Sequence, residues 1–251
     1  MTNKKLFSII IFNKNTHNDL THTLKSIFNQ SLNFKENIEV FIIEKILDYT
    51  SIIDYKEKYP ENIFAYNYTE FFNNYEELIK GKYVNFIENG AIFEENLFEN
   101  INETFTQNHI NCIRIPVSNN DNYFKTYLNY IYTTKQTINV VDDYMYIGLI
   151  PDNFFIKKDF LFRLVNSSKF INNNPLTIIT TILLNSRRYM ILNNTSMSIC
   201  PGKQLFYTDI NQFKKIIDTL IETYETNNQI PRYLQIIILI HISKSIQHDN
   251  N

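Results

Sequence analysis

The sequence predicts an α/β domain: a doubly wound, mostly parallel sheet followed by a C-terminal helical extension. Three observations carry this. Five short runs suited to strands, Leu6 to Phe12, Ile38 to Ile43, Ile63 to Tyr66, Tyr83 to Ile87 and Cys112 to Val117, recur through the first half. Leu6 to Phe12 alternates too little to be half exposed and reads as a central strand covered on both faces. Segments with helical spacing separate the runs, and strand and helix alternating in this way favours parallel strands joined by right-handed crossovers. A chain of 251 residues is also long enough to bury a sizeable core in one such unit.

In order along the chain, Leu20, Leu24, Ile27 and Phe28 mark a first helix, capped by Thr16 or Asn18 and ended by Asn29-Gln30. Thr50 is placed to cap a short helix carrying Ile52, Ile53 and Tyr55, which must stop before Pro60. A brief helix over Asn74 to Ile79 precedes the strand at Tyr83. Glu94 and Glu95 suit the start of a helix through Leu97, Ile101 and Phe105, because acids favour a helix amino end.

From Ser118 the rhythm is less regular. Tyr123 to Tyr132 and Phe160 to Val165 read as helices, and Met145 to Ile150 and Phe154 to Lys157 as strands. Pro175 starts a helix ended by Arg187-Arg188, with a strand over Tyr189 to Leu192 after it. Asp209 caps a long amphipathic helix and Pro231 opens the last one. Packing on the domain is the better reading of these two helices than a membrane surface, since the polar face carries acids and no lysine-rich row.

Composition narrows the function. The formal net charge of -2, with Lys and Arg dispersed, forms no basic stripe, so nucleic acid is not an expected partner. Leu234 to Ile242 is too short for a membrane span. Cys112 and Cys200 read as separate buried thiols, which suits a reducing cytoplasm. Only 4 glycines are present, where average usage of about 7% would give roughly 17. That leaves little room for a glycine-rich phosphate cradle.

If there is an active site, Gly81 to Glu95 borders it. A buried strand there breaks at Glu88-Asn89-Gly90, and ligands of open α/β sheets bind beyond the carboxyl ends of strands. Glu88 can be a metal ligand or a solvated or capping carboxylate. Glu44 can hold a ribose hydroxyl or pair with Lys45 at the surface, where such a pair contributes under about 1 kcal/mol. Asp142-Asp143, the only adjacent Asp pair, reads as a solvated turn. No His pair has metal spacing, and no Ser or Cys has a base nearby in sequence.

Several segments together resemble the family 2 glycosyltransferases of the GT-A fold, of the kind found with bacterial teichoic-acid and capsule enzymes such as the CDP-glycerol glycerophosphotransferases. Phe7-Ser8-Ile9-Ile10-Ile11 is similar to the family's first strand, and Leu24-Lys25-Ser26-Ile27-Phe28-Asn29-Gln30-Ser31 to its Ser-Ile-x-Asn-Gln-Thr helix end. Glu36-Asn37-Ile38-Glu39-Val40, Tyr55-Lys56-Glu57-Lys58-Tyr59-Pro60-Glu61-Asn62-Ile63 and Lys80-Gly81-Lys82-Tyr83-Val84-Asn85-Phe86 resemble later framework motifs, as do Phe154 to Lys158 and Pro231 to Gln235.

The same resemblance implies that the chemistry motifs are missing. Lys45 stands where the family has the nucleotide-binding Asp. Glu88-Asn89-Gly90 replaces the metal-binding Asp-x-Asp, and Gly90 offers a hard cation no side-chain oxygen. Asn174-Pro175 falls at the catalytic Glu-Asp, and neither can take a proton at neutral pH. Phe72-Asn73 replaces the family's Arg-Asn.

The resemblance therefore implies a nucleotide-binding-like α/β half over 1–117, an acceptor-side half over 118–205 and C-terminal helices over 206–251. No catalytic residue and no metal ligand carry over. Asn15, Glu44, Asn73, Glu88 and Asn89 are the candidate nucleotide-cleft residues, with Mn or Mg expected only if Glu88 keeps a ligand role. The expected function is a catalytically impaired, binding or scaffolding glycosyltransferase-like module of cell-envelope glycopolymer assembly. Its expected partners are a nucleotide-sugar, a glycopolymer or cell-envelope biosynthesis proteins, and its expected location is the cytoplasm, peripheral to the inner face of the membrane. The alternatives are an active transferase with a non-standard, metal-independent site, with Lys45 or Arg187 facing the leaving diphosphate, and the N-terminal domain of a larger polymerase.

Overall fold

The computed structural model describes residues 5–13, 17–44, 52–118, 136–143, 153–164, 175–200, 210–227 and 229–239. Its centre is an eight-stranded sheet of order β3-β2-β1-β4-β8-β6-β9-β7. The strands are β1 (Phe7–Asn13), β2 (Ile38–Glu44), β3 (Ile63–Asn67), β4 (Tyr83–Glu88), β6 (Cys112–Arg114), β7 (Thr137–Asn139), β8 (Phe154–Lys157) and β9 (Arg188–Ile191). A two-stranded antiparallel ribbon joins β5 (Ala91–Phe93) to β10 (Met197–Ile199).

The first four strands meet the expectation from sequence. β3, β2, β1 and β4 lie side by side and parallel, and every residue of β1, β2 and β4 is buried. Apolar residues on both faces make this possible. Phe7, Ile9 and Ile11 enter one core layer with Leu20, Leu24 and Ile27 of α1 (His17–Phe28); Ile10 and Phe12 enter the other with Phe71 of α4 (Tyr68–Leu78).

Beyond β4 the expected order fails. The fifth strand, β6, does not sit beside β4, because β8 from later in the chain lies between them and runs antiparallel to both. Alternation of apolar runs says where strands are but not which edges pair. Asn85 helps seat the intruder: its Nδ2 donates to the Phe154 carbonyl at 2.6 Å.

Helix ends also differ from expectation. α4 starts at Tyr68 and not at Asn74, because Asn67 and Glu70 form a reciprocal capping box that stabilises an earlier first turn. Ile52 occupies the cap position of α3 (Ile53–Lys58), which makes no side-chain cap hydrogen bond, and Thr50 lies outside the described residues. Asn18 lies inside α1. α5 (Leu97–Gln107) begins after Asn96. Glu94 is used elsewhere: its carboxylate accepts from Thr195 Oγ1 at 3.1 Å, Ser196 N–H at 2.9 Å and Ser196 Oγ. Burial works against ionisation there, but these bonds outweigh it and hold the Glu94 carboxyl below its ordinary range.

The short α2 (Phe34–Asn37) leads into β2, and α6 (Lys158–Leu164) follows β8. α7 (Pro175–Ser186), α8 (Ile210–Tyr224) and a last helix, α9, over 232–239 supply Ile178, Ile182, Ile217, Leu220, Leu234 and Ile237 to the core layer that holds Phe71. The C-terminal helices thus pack on the sheet. No described helix is long and apolar enough to cross a membrane. Tyr123 to Tyr132, Met145 to Ile150 and Asp209 lie outside the described residues.

At the amino end of the sheet a buried carboxylate ties three strands together. Glu39 Oε1 accepts from Ser8 Oγ on β1, from Lys80 N–H at 2.6 Å and from Gly81 N–H at 3.0 Å just before β4. Gly81 is required by close approach, since a Cβ there would sit 2.4 Å from Ser8 Oγ and 2.5 Å from Ser8 N. Glu39→Ala should lower stability in urea denaturation by about 3 kcal/mol, because three donors lose a charged acceptor. Glu39→Gln, which keeps an acceptor oxygen, should lose about 1 kcal/mol. Equal losses for the two variants would show that the donors do not depend on this acceptor.

Candidate functional site

The sheet order turns between β1 and β4, since the chain fills β1, β2 and β3 in one direction and then returns to the other side of β1. A crevice at the carboxyl ends of strands on either side of such a turn is where open α/β sheets bind ligands. Three polar residues end the strands there: Asn13 on β1, Glu44 on β2 and Glu88 on β4.

Asn13 and Glu44 face each other in register, and Asn13 Nδ2 donates to Glu44 Oε1 at 2.5 Å. Glu44 is 1% exposed and Asn13 8%. Alternation from Ile9, Ile11, Val40 and Ile42 sets this pair on the α1 side of the sheet. Asn13 Oδ1 is buried without a hydrogen-bond partner.

Glu88 stands in register with Phe12, whose core layer is the opposite one. There the Phe12 ring lies 5.6 Å from that of Tyr68, the first residue of α4. Burial, and secondarily the charge of Glu88, pushes the Tyr68 phenol up to about 12. Glu44 and Glu88 therefore end the same sheet on opposite faces. A ligand touching both must lie across the strand ends.

Neither acid is the solvated surface group that sequence allowed as the plainer reading, for both are buried. Asn89 is fully buried and its N–H donates to the Phe12 carbonyl at 3.2 Å. Gly90 has φ 104, its N–H donates to Thr23 Oγ1 at 2.8 Å, and its carbonyl accepts from Cys200 N–H at 2.9 Å. The turn that the resemblance assigns to metal binding is thus bonded to α1 and to the end of β10. Among the described residues no group of three or more His, Cys, Asp or Glu side chains could hold a metal.

The remaining candidates scatter. Asn73 is exposed on α4, inside a helix and not in a loop before the metal turn. Asn15, Lys45 and Asn174 lie outside the described residues, and Pro175 begins α7. Arg187, with φ 59, precedes β9, which runs parallel to β6 and hence to β4. It sits at the amino-end edge, too far round the sheet to face a leaving diphosphate at the carboxyl ends. Asp142 and Asp143 belong to a turn at that same edge, where they accept from Asn139 Nδ2 and, at 3.0 Å, from Asn139 N–H. Burial pushes the Cys112 thiol up to about 12, against opposing effects of Ser186 and Lys157, so it is no nucleophile.

Sequence reasoning missed Asn13 and Tyr68. The available signal for Asn13 was a polar residue ending an apolar run in the same strand position as Glu44. Tyr68 had none, because its partner depends on where α4 packs.

No protein-family model matches the chain. It is 24% identical over 94% of its length to the minor teichoic acid biosynthesis protein GgaA of Bacillus subtilis strain 168, and 24% identical over 93% to GgaB of the same strain. It spans 59% of GgaA and 28% of GgaB. Among solved structures, S. aureus TarS 1-349 in complex with UDP-GlcNAc superposes with a TM-score of 0.71 over 94% of this chain and 71% of that one, at 13% identity. This is the GT-A fold. The mannosyltransferase PcManGT from Pyrobaculum calidifontis, in complex with GDP-Man and Mn2+, superposes at 0.61 over 96% of this chain and 70% of its own, at 12% identity. The chain has the GT-A fold and is similar in sequence to two teichoic-acid biosynthesis proteins.

Within this GT-A fold the turn Glu88-Asn89-Gly90 resists conversion to a ligand turn by one side chain. Gly90→Asp forces an L-residue to φ 104 and should lower stability by about 1–3 kcal/mol in chemical denaturation. A variant as stable as the parent would show that the turn can relax to accept a ligand there.

Proposed function

We propose that this protein is a glycosyltransferase-like module of teichoic-acid-type cell-envelope glycopolymer assembly that binds a nucleotide or nucleotide-activated sugar and has lost ordinary metal-dependent transfer. The observation that carries this reading is Gly90. A divalent cation under a diphosphate needs oxygen ligands, whereas Gly90 has no side chain and both its backbone groups are hydrogen bonded within the domain. The similarity to GgaA and GgaB supports the biosynthetic context, and the likeness to TarS with UDP-GlcNAc supports a nucleotide-sugar as the ligand class. A binding or scaffolding role, with glycopolymer or cell-envelope biosynthesis proteins as partners, is the reading supported by strand ends that keep polar residues while Gly90 offers a cation no side-chain ligand.

A second reading, a working transferase with a metal-independent site, draws support from the burial of Glu44 and Glu88 at the strand ends. Buried carboxylates beside a cleft are candidates for chemistry. Under it, the unmodified chain turns over a nucleotide-sugar and Glu88→Ala abolishes the turnover.

Titration calorimetry with UDP-, CDP- and GDP-linked sugars, with and without manganese, separates the readings. The expected outcome is weak binding unchanged by manganese and no release of sugar. A manganese-dependent, micromolar affinity would overturn the loss of metal chemistry. Absence of binding to every nucleotide would overturn the nucleotide ligand itself.

A further inference from the structure

The amino end of the sheet gathers lysines from three separate stretches of the chain. Lys82 N–H donates to the Lys5 carbonyl at 3.1 Å and Lys158 N–H donates to the Lys82 carbonyl at 2.9 Å, with Lys80 and Lys157 close by in sequence. Their ammonium groups meet different surroundings. Lys5, Lys80 and Lys158 Nζ donate to the backbone carbonyls of Lys35, Glu77 and Lys80. Lys5 and Lys80 also line a cavity of about 520 Å³ together with Glu39, Glu61 and Glu77. Lys82 and Lys157 have neither kind of partner among the described residues. Their Nζ atoms lie 5.0 Å from the centroid of the Tyr83 ring and 5.4 Å from that of Phe105, and these two rings stack on each other at 4.5 Å. Neither Glu103 of α5 nor Asp159 of α6 pairs with them. Burial, and secondarily the charge of Lys82, holds the Lys157 ammonium below the usual lysine range; Cys112 opposes them, and no carboxylate does. Lys5 is lowered by burial as well, but there Glu39, Glu61 and Glu36 act in the opposite direction.

We propose that Lys82 and Lys157 form an anion site for a phosphate ester at the amino end of the sheet, the end opposite the candidate cleft. The site is open to solvent, since Lys82 is exposed and Lys157 half-buried. Two neighbouring ammonium groups repel each other, and one oxyanion that accepts from both replaces that repulsion with attraction. An aromatic face holds an ammonium only weakly at an exposed site, so an oxyanion improves on the contacts already made. A tetrahedral phosphate presents acceptors in several directions and suits lysine, a point charge with three donors, whereas a planar carboxylate suits the fork of arginine. The uncompensated corner is narrow. Glu39, Glu61 and Glu77 share the β2–β3 side of this end with Lys5 and Lys80, so a broad anionic surface pressed against it would meet acids. A single phosphate held where β4 pairs with β8 would not. The phosphodiester of a glycopolymer and the headgroup of an anionic lipid share this chemistry. The site stands apart from the nucleotide reading of the cleft and does not rest on it.

The test uses two probes at constant ionic strength. A glycerol phosphodiester oligomer is titrated while the backbone amides of Lys82, Lys157 and Lys158 are followed by NMR, and vesicles of phosphatidylglycerol in phosphatidylcholine are co-sedimented with the protein. At least one probe should bind saturably, with a dissociation constant raised about tenfold or more by Lys82→Met or Lys157→Met. Lys157→Arg, which keeps the charge, should retain binding, and Lys80→Met, on the side that holds the acids, should change it little. Binding of the oligomer alone names the glycopolymer as the source of the phosphate, and binding of the vesicles alone names the lipid headgroup; either supports the site. No saturable response to either probe, or equal affinity in the parent, Lys82→Met and Lys157→Met, would overturn it. Titration of UDP into Lys157→Met should match the parent. Loss of UDP binding there would assign the lysine to the nucleotide site and overturn the proposal, whereas failure of UDP to bind the parent would count against the nucleotide reading alone.

Discussion

One buried carboxylate at the amino end of the sheet aligns the strands whose far ends carry Asn13, Glu44 and Glu88. Glu39 takes donors from β1 and from the turn into β4 while it is itself part of β2, so three parallel strands are aligned by a single group. Side chains alternate along a strand, and a slip of one residue would exchange its two faces. The latch stands roughly 16 Å along β2 from Glu44. The register it supports sets Asn13 against Glu44 on one face and Glu88 on the face where Phe12 and Tyr68 pack. Gly81 belongs to the same device, because no larger residue lets the turn come so close to Ser8.

Several framework residues have the same kind of role. Gln30, at the end of α1, donates to the Ser26 and Glu94 carbonyls and accepts from Phe98 N–H, which joins α1 to the approach of α5. Asn62 Nδ2 reaches the carbonyls of Phe34, Lys35 and Ile38, and so fastens the turn before β3 to the start of β2. Thr23 accepts from Gly90 N–H and donates to the Asp19 carbonyl. Each satisfies buried backbone groups that the sheet and helices leave over. Such residues hold the GT-A architecture together whether or not the cleft performs transfer. Framework motifs and chemistry motifs therefore answer to different physical demands.

The two faces of the sheet are built differently. The α1 face is closed by helices from the first half of the chain, the other by α4 together with α6, α7, α8 and α9. β8 connects the halves, since it brings residues from beyond position 150 between β4 and β6. Arg114, fully buried at the end of β6, lies 6.0 Å from the Phe154 ring of this inserted strand. A guanidinium retained inside an aromatic layer marks the second half as more than apolar filling.

The sequence by itself determined the strands of the first half, their burial and the resemblance to GT-A transferases, because apolar runs covered on two faces and framework motifs are local patterns. Lys45, Gly90 and Asn174-Pro175 were legible as departures from that resemblance for the same reason. Only the tertiary structure decided that β8 separates β4 from β6, since edge pairing is set by long-range packing. It also decided that Arg187 lies at the far end of the sheet, that Glu44 and Glu88 are buried on opposite faces, and that Asn13 has an unmet acceptor. Each of these depends on strand direction and register, which come from contacts such as those of Glu39 between residues 31 to 42 positions apart.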